Sequence, residues 1–423
     1  MRLRSIVPVL VTVLSWLPCL AQSVDNPRVV TVSPDGTGAD YSNLSDAIGS
    51  ISGSSSSNRY VVLVYPGVYT GASNANVTWK SYVSLKGVIR DSTIIKGHIT
   101  DESAYALINF ANLVGVEVSN ITLDGTEQAA TYDHNQNGAV FVNGADINFT
   151  NVVFRTTEAS WSNGFALSST HALSDTTSRT GTATLKGCLI YGGVYVGDGN
   201  WTIEDTTVSS ISDNGPFYVY GIGIVPGAYP GDLRIQNSRI EARALAYGAN
   251  DIGTIWASSE SSLSVTVIAS TLVADGNAAE SAPIYKVEGD QTAITVDNSV
   301  LVNTAPESEG ANYHGLYVES DQGGKTIVRN SAFSAIGTGG VRTDVDNESA
   351  QGDVVIAGCT HSSDSDSGNT STADSRQGAF STDLVVPLVS PSLGPVNGQL
   401  WVDTVNNRLC YRSGGSTRCV TGS

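Results

Sequence analysis

The chain has 423 residues, 22 basic against 40 acidic side chains and a formal net charge of −18. So acidic a surface repels nucleic-acid phosphates, anionic lipid and polyanionic sugars, which leaves neutral or cation-bridged glycans as the easier partners. After the N-terminal stretch no long apolar run occurs, so no membrane span is expected.

The first element is a targeting segment. Arg2 and Arg4 precede an apolar run from Ile6 to Leu20, and the run closes on Cys19-Leu20-Ala21. This reads as a secretory signal over residues 1–21, cleaved after Ala21. The run is too short, and with Pro8 and Pro18 too interrupted, to cross a bilayer. The mature protein is therefore expected to be secreted, periplasmic or at the cell surface. Next comes one early helix, Asp46 to Ile51, placed to cap the open N-terminal end of the repeats downstream.

From there a short phrase recurs: apolar, any, Asn or small, small, any, apolar. It reads Val118-Ser-Asn-Ile-Thr-Leu123, Phe149-Thr-Asn-Val-Val-Phe154, Leu185-Lys-Gly-Cys-Leu-Ile190, Ile203-Glu-Asp-Thr-Thr-Val208 and Ile235-Gln-Asn-Ser-Arg-Ile240. It continues as Ile268-Ala-Ser-Thr-Leu-Val273 in a slightly shifted register, Val296-Asp-Asn-Ser-Val-Leu301, Val328-Arg-Asn-Ser-Ala-Phe333 and Ile356-Ala-Gly-Cys-Thr-His361. Most steps are about thirty residues, the mark of a solenoid. The strands are short and rich in Val, Ile and Thr, and no helical period separates them. Asn120, Asn151, Asn237, Asn298 and Asn330 stand at the middle position, where a sharp bend needs left-handed backbone; stacked coils would set them in a hydrogen-bonded ladder. The expected fold is all-β, a right-handed parallel β-helix over about 28–360. A polar linker (361–380) and a small C-terminal β module (381–423) complete the chain.

One strand per coil precedes the Asn phrase, and several of these begin at glycine. Aligning Gly138, Gly164, Gly193, Gly221, Gly253, Ala282, Gly315 and Gly340 gives a largely apolar fourth column: Phe141, Leu167, Val196, Ile224, Trp256, Tyr285, Val318 and Thr343. Period-2 alternation points that column inward. It leaves Tyr195, Ile255, Ile284, Tyr317 and Arg342, beside Lys286, Glu319 and Asp344, on an exposed face. Rings beside acids and amides suit sugars, whose C–H faces stack while their hydroxyls find partners. Tyr195, Lys286 and Tyr317 are the expected sugar contacts, with Trp161 near Arg155 and Glu158 lining the same groove. Glu319, Arg342 and Asp344 are the residues able to support acid–base catalysis. A cross-strand ion-pair ladder with surface tyrosines is the structural alternative. Asp133, His134 and His171 sit in polar loops without a catalytic partner. Of the later cysteines, Cys410 and Cys419 bracket a turn-rich loop and are expected to close it as a disulfide, while Cys188 and Cys359 lie in different coils as separate thiols. No Cys/His cluster suggests a structural metal, and no cofactor is expected.

Val32-Ser-Pro-Asp-Gly-Thr-Gly38, Leu44-Ser-Asp-Ala-Ile48, Val61-Val-Leu-Val-Tyr-Pro-Gly-Val-Tyr69, Val83-Ser-Leu-Lys-Gly87 and Thr93-Ile-Ile95 together resemble the pectin methylesterase branch of the pectin-lyase-like superfamily. The resemblance covers residues 30 to 125, and beyond that only the coil rhythm is shared. It implies the parallel β-helix. That family's catalytic aspartates and arginine lie in Gln-Asp-Thr, Val-Asp-Phe and Gly-Arg-Pro-Trp phrases, and none occurs here, so the resemblance transfers the fold and not the activity. Pectate lyases of the same fold use calcium held by acids. No such cluster is evident in the sequence, although an acidic surface offers ligands of the right kind if calcium assists. Gly398-Gln-Leu-Trp-Val-Asp-Thr404 resembles small β modules that end phage tail fibres, which implies a homotrimer through the tail. Three readings stand: a secreted scaffold that engages extracellular polysaccharide, a diverged polysaccharide lyase or carbohydrate esterase, and a structural or adhesive fibre protein.

Overall fold

A computed structural model describes residues 26–97, 106–126, 138–156, 165–168, 181–197, 199–212, 219–224, 231–257, 263–287, 291–304, 312–319, 324–336, 341–347, 354–360, 366–368, 370–372, 400–403, 408–413 and 416–421. The segment read as a secretory signal lies outside the described residues, as do Trp161, Glu158, Asp133, His134 and His171. No helix among the described residues is long and apolar enough to cross a membrane.

The chain winds as a parallel β-helix. A 13-stranded parallel sheet runs from Arg28–Val32 to Thr370–Thr372, and a 19-stranded sheet wraps the other faces of the coils. The recurring phrase sets the register. Leu85, Val118, Phe149, Leu185, Ile203, Ile235, Val267, Val296, Val328 and Ile356 stack in one unbroken column, each opposite the next. All ten are buried. The shifted phrase takes its place through Val267 rather than Ile268, so Ala269 falls where its neighbours have Asn. Inside the first coils the rings of Trp79, Phe110, Phe149 and Phe154 pack in sequence at 5.8, 5.9 and 5.2 Å.

The bends arise from the same phrase. Asn120, Asn151, Asn237, Asn298 and Asn330 all adopt φ between 49° and 53°, and Asp205 and Ala269 share the conformation at 50° and 49°. The expected amide ladder forms between Asn151 and Asn120, whose side chains bond at 2.8 Å. Further along, a different ladder holds the coils together. The residue after each bend is Thr206, Ser238, Ser270, Ser299 or Ser331, all buried. Each hydroxyl donates to the carbonyl two residues earlier, at 2.6 to 2.9 Å. It also accepts the amide N–H of the residue at the same position one coil earlier, at 3.1 to 3.2 Å. Cys188 begins the row, and Cys359 holds the same position one coil beyond Ser331.

The capping helix spans Leu44–Ser50, two residues earlier than the sequence suggests. The Asn43 side chain accepts the Asp46 amide at 2.9 Å and starts the helix there. Leu44, Ala47 and Ile48 are buried against the end of the solenoid. Lys80 Nζ closes the other end by donating to the carbonyls of Ile48 and Ile51 at 2.7 and 2.6 Å. At the far end, the strands Asp366–Gly368 and Thr370–Thr372 extend both sheets into the segment read as linker. The C-terminal residues form a three-stranded antiparallel sheet, Leu400–Asp403, Arg408–Ser413 and Ser416–Thr421, whose register sets Cys410 opposite Cys419.

Candidate functional site

Two strands are unusually long, Arg239–Ala257 with 19 residues and Thr271–Lys286 with 16. They turn a corner rather than run straight. Glu280 and Tyr285 would stand roughly 16 Å apart on a straight strand, yet the Tyr285 hydroxyl donates to Glu280 Oε2 at 2.6 Å. Pro283, which has no amide to offer a ladder, lies between them. Tyr285 and Glu280 therefore face the concave side of the bend.

Aromatic rings fill this corner. Gly223, Trp256, Tyr285, Tyr317 and Asp346 lie opposite one another in register. Tyr220 packs on Trp256 at 4.5 Å, Trp256 stacks on Tyr285 at 4.2 Å and 13°, and Tyr285 meets Tyr317 at 4.8 Å. Trp256, Tyr285 and Tyr317 are only 4–6% exposed, so they form a floor, while Tyr220 is half-buried at its end. They cluster apart from the coil interior. Gly223 makes room for this packing, since a Cβ there would come within 2.9 Å of the Tyr195 ring.

Carboxylates stand around the floor. Asp251 lies opposite Glu280, and Glu280 opposite Asn312. Glu319 comes directly after Val318 at the other end of its strand and donates its amide to the Lys286 carbonyl at 2.9 Å. Burial, then the charges of Glu280 and Glu319, push the Asp251 carboxyl up to about 7. Burial, the bond to Glu280 and nearby acid charges raise the Tyr285 hydroxyl far above its ordinary value, so it remains a donor. His314 is 1% exposed, lies 4.9 Å from the Tyr317 ring and brings Nδ1 to 3.4 Å from Asp346 Oδ2. Neither ring nitrogen makes a hydrogen bond. Burial lowers its pKa against the opposing pull of Asp346 and Glu280. Asn303 braces the strands beneath by donating to the carbonyls of Ser281 and His314 at 2.6 and 2.9 Å.

The structure revises the face expected from the glycine alignment. Tyr195 (8% exposed), Tyr317 and Lys286 are buried, not exposed. Lys286 is fully enclosed and donates Nζ to the Gly324 carbonyl at 2.5 Å. Ile255 and Ile284, expected outside, are in the main core, whereas Trp256 and Tyr285, expected inside, line the corner. The cause is register. Tyr220, not Gly221, lies opposite Gly253, and Tyr285, not Ile284, lies opposite Tyr317. A one-residue slip exchanges the two faces of a strand. Arg342 lies opposite Tyr313, and Val318 opposite Asn347. Glu319 is thus roughly 20 Å of strand away from Arg342, and it does not share one rung with Arg342 and Asp344, whose side chains lie outside those described. Sequence reasoning passed over Asp251, Glu280, His314 and Asp346. Asp251 and Glu280 were within reach, because each stands two residues before an aligned strand start, Gly253 and Ala282.

Arg155 belongs to another face. Its guanidinium sits 5.7 Å over the Tyr191 ring and 3.8 Å from Asp124. Among the described residues no group of three or more His, Cys, Asp or Glu side chains is arranged to hold a metal ion.

No family model matches the chain, and no curated protein matches it. Solved structures do. A pectin methylesterase from carrot is 16% identical over 83% of this chain and 89% of its own, with a TM-score of 0.37. The A-module of a mannuronan C-5 epimerase from Azotobacter vinelandii is 13% identical over 78% and 95%, with a TM-score of 0.46. A pectin methylesterase in complex with a hexasaccharide is 11% identical over 82% and 93%, with a TM-score of 0.35. At these identities the likeness is one of winding alone, and the parallel β-helix of this chain stands on its own strand register.

Proposed function

We propose that the protein is exported by its N-terminal segment and engages an extracellular polysaccharide of neutral sugars along the concave corner. The observation that carries this is the set of part-exposed carboxylates Asp251, Glu280 and Glu319, which stand over the buried rings of Trp256, Tyr285 and Tyr317. The strip runs along the solenoid axis across successive coils, the direction in which a linear polymer would lie. Carboxylates accept hydrogen bonds from sugar hydroxyls. Their charge, part of a formal net −18, disfavours polyuronates. The test is retention on a panel of immobilised neutral and uronic-acid polysaccharides. Retention by a neutral glycan, lost in Trp256→Ala, is expected. Retention by polyuronates alone refutes it.

A second reading, a structural or adhesive fibre protein, draws on the three-stranded C-terminal sheet. A homotrimer that becomes a monomer when 381–423 are deleted, measured by sedimentation, favours it.

A further inference from the structure

We infer that Tyr191, Arg155 and Asp124 form a second saccharide site, on a face separate from the corner, and that it takes a neutral sugar unit. The inference does not draw on the corner or its acids. Among the described side chains Tyr191 carries the only exposed aromatic ring, at 48%. Asp124, Arg155 and Tyr191 lie opposite one another on three successive coils. They therefore share one side of the sheet, the side away from the interior residues Leu123, Phe154 and Ile190.

The three side chains are held in place. The Arg155 guanidinium lies 5.7 Å over the Tyr191 ring, which fixes a long side chain without spending its N–H groups. Asp124 is only 7% exposed, and its Oδ1 accepts both the amide and the hydroxyl of Thr126, at 3.0 and 2.5 Å. Oδ2 is left turned to Arg155, with Nη1 at 3.8 Å, too far for a hydrogen bond. An oxygen placed about 2.8 Å from each closes that triangle, accepting from Nη1 and donating to Oδ2. A sugar hydroxyl suits this gap, because it is donor and acceptor at once. The exposed part of the Tyr191 ring, beside it, suits the C–H face of a sugar. Charge sets the class. Arg155 is matched by Asp124, and Arg90 by Asp91 with Nε at 2.7 Å. Arg90 also donates Nη1 to Asn151 Oδ1 at 3.0 Å. The Asp91 carboxyl is held below its ordinary value, first by the Arg90 bond and in smaller part by the Arg155 charge, so the two pairs are neighbours. Two cations beside two carboxylates leave no net charge to draw in a uronate or a sulfate ester.

Hydroxyl-radical footprinting read by mass spectrometry tests the site on the wild-type protein, because an exposed tyrosine ring is oxidised and a covered one is spared. The mature full-length protein is incubated with cellohexaose, xylohexaose, mannohexaose or hexagalacturonate. Each is present at about 10 mM, where even a millimolar site is roughly nine-tenths filled. Oxidation of Tyr191 is expected to fall severalfold with at least one neutral hexasaccharide and to hold with hexagalacturonate. No protection by any neutral hexasaccharide overturns the site. Protection by hexagalacturonate equal to or above that by the neutral sugars overturns its class. Arg155→Met keeps the stem over the ring and removes the donors, and should raise the apparent dissociation constant roughly 10-fold or more. Undiminished protection in folded Arg155→Met overturns the pairing of donor and acceptor. Protection of Tyr191 should persist in the corner variant Asp251→Asn, and its loss there overturns the separation of the two sites.

Discussion

Replacing Ser270 by alanine tests the hydroxyl ladder. Its Oγ accepts the Ser238 amide at 3.1 Å and donates to the Ile268 carbonyl at 2.8 Å. That carbonyl keeps a second partner, the Asn237 amide at 3.1 Å. The amide of Ser238 does not share this safety, since its residue is 4% exposed and no water can replace the hydroxyl without opening the bend. Leaving one buried donor unpaired costs about 1–3 kcal/mol. In a solenoid each coil leans only on its neighbours, so the loss is local and a local readout is needed. Amide hydrogen exchange at Ser238 should accelerate roughly 5- to 150-fold, the same free energy expressed as a ratio. Ser270→Cys should recover part of the protection. Cys188 and Cys359 occupy the equivalent position in their coils, and each points its thiol at the carbonyl two residues earlier, at 3.6 and 3.5 Å. If the Ser238 amide in Ser270→Ala exchanges at the wild-type rate, the ladder carries no load and the reasoning is wrong.

The same packing sets three further outcomes. Gly276→Ala should cost roughly 3 kcal/mol or more in chemical denaturation, because φ is +127° and the new Cβ would overlap the Ala244 carbonyl oxygen; an unchanged midpoint refutes it. Lys286→Met should lower the melting temperature by several degrees, because it takes the Nζ donor away from the buried Gly324 carbonyl; an unchanged or raised value counts against it. Asp251 has a folded pKa of about 7 against an ordinary value of 3.8, so the stability it contributes is complete below 3.8 and drains away as pH rises to about 7. Asp251→Asn should flatten that slope in denaturation midpoints taken across the acid-to-neutral range, and parallel curves for the two proteins refute it.

The winding was legible because one phrase does three jobs. Its apolar first position is the interior column, its Asn is the left-handed bend, and its small residue is the hydroxyl ladder. Even the irregular phrase at Ile268 disclosed its shift. The candidate site was legible only in part. Glu319 is part-exposed as expected, but Tyr317, Lys286 and Tyr195 are buried. Period-2 alternation sorts inside from outside only on a straight strand. Where a strand turns a corner, as between Glu280 and Tyr285, the concave side is buried as well. Glycine marks a strand start poorly for a related reason, since Gly253 is small to admit the Trp256 ring rather than to begin anything. The acids were missed because they precede the corner, outside the aligned windows.

The ladder also makes this protein's length adjustable. Ser238 and Ser270 are 32 residues apart and occupy the same position in consecutive coils. Excising one such unit would join Asn237 directly to Ser270, restoring the phrase Ile-Gln-Asn-Ser-Thr-Leu across the seam. The Thr206 amide would then find the Ser270 hydroxyl where Ser238 had been. Insertion works the same way in reverse. A lineage built on such a seam can lengthen or shorten the solenoid one rung at a time without redesigning the ends.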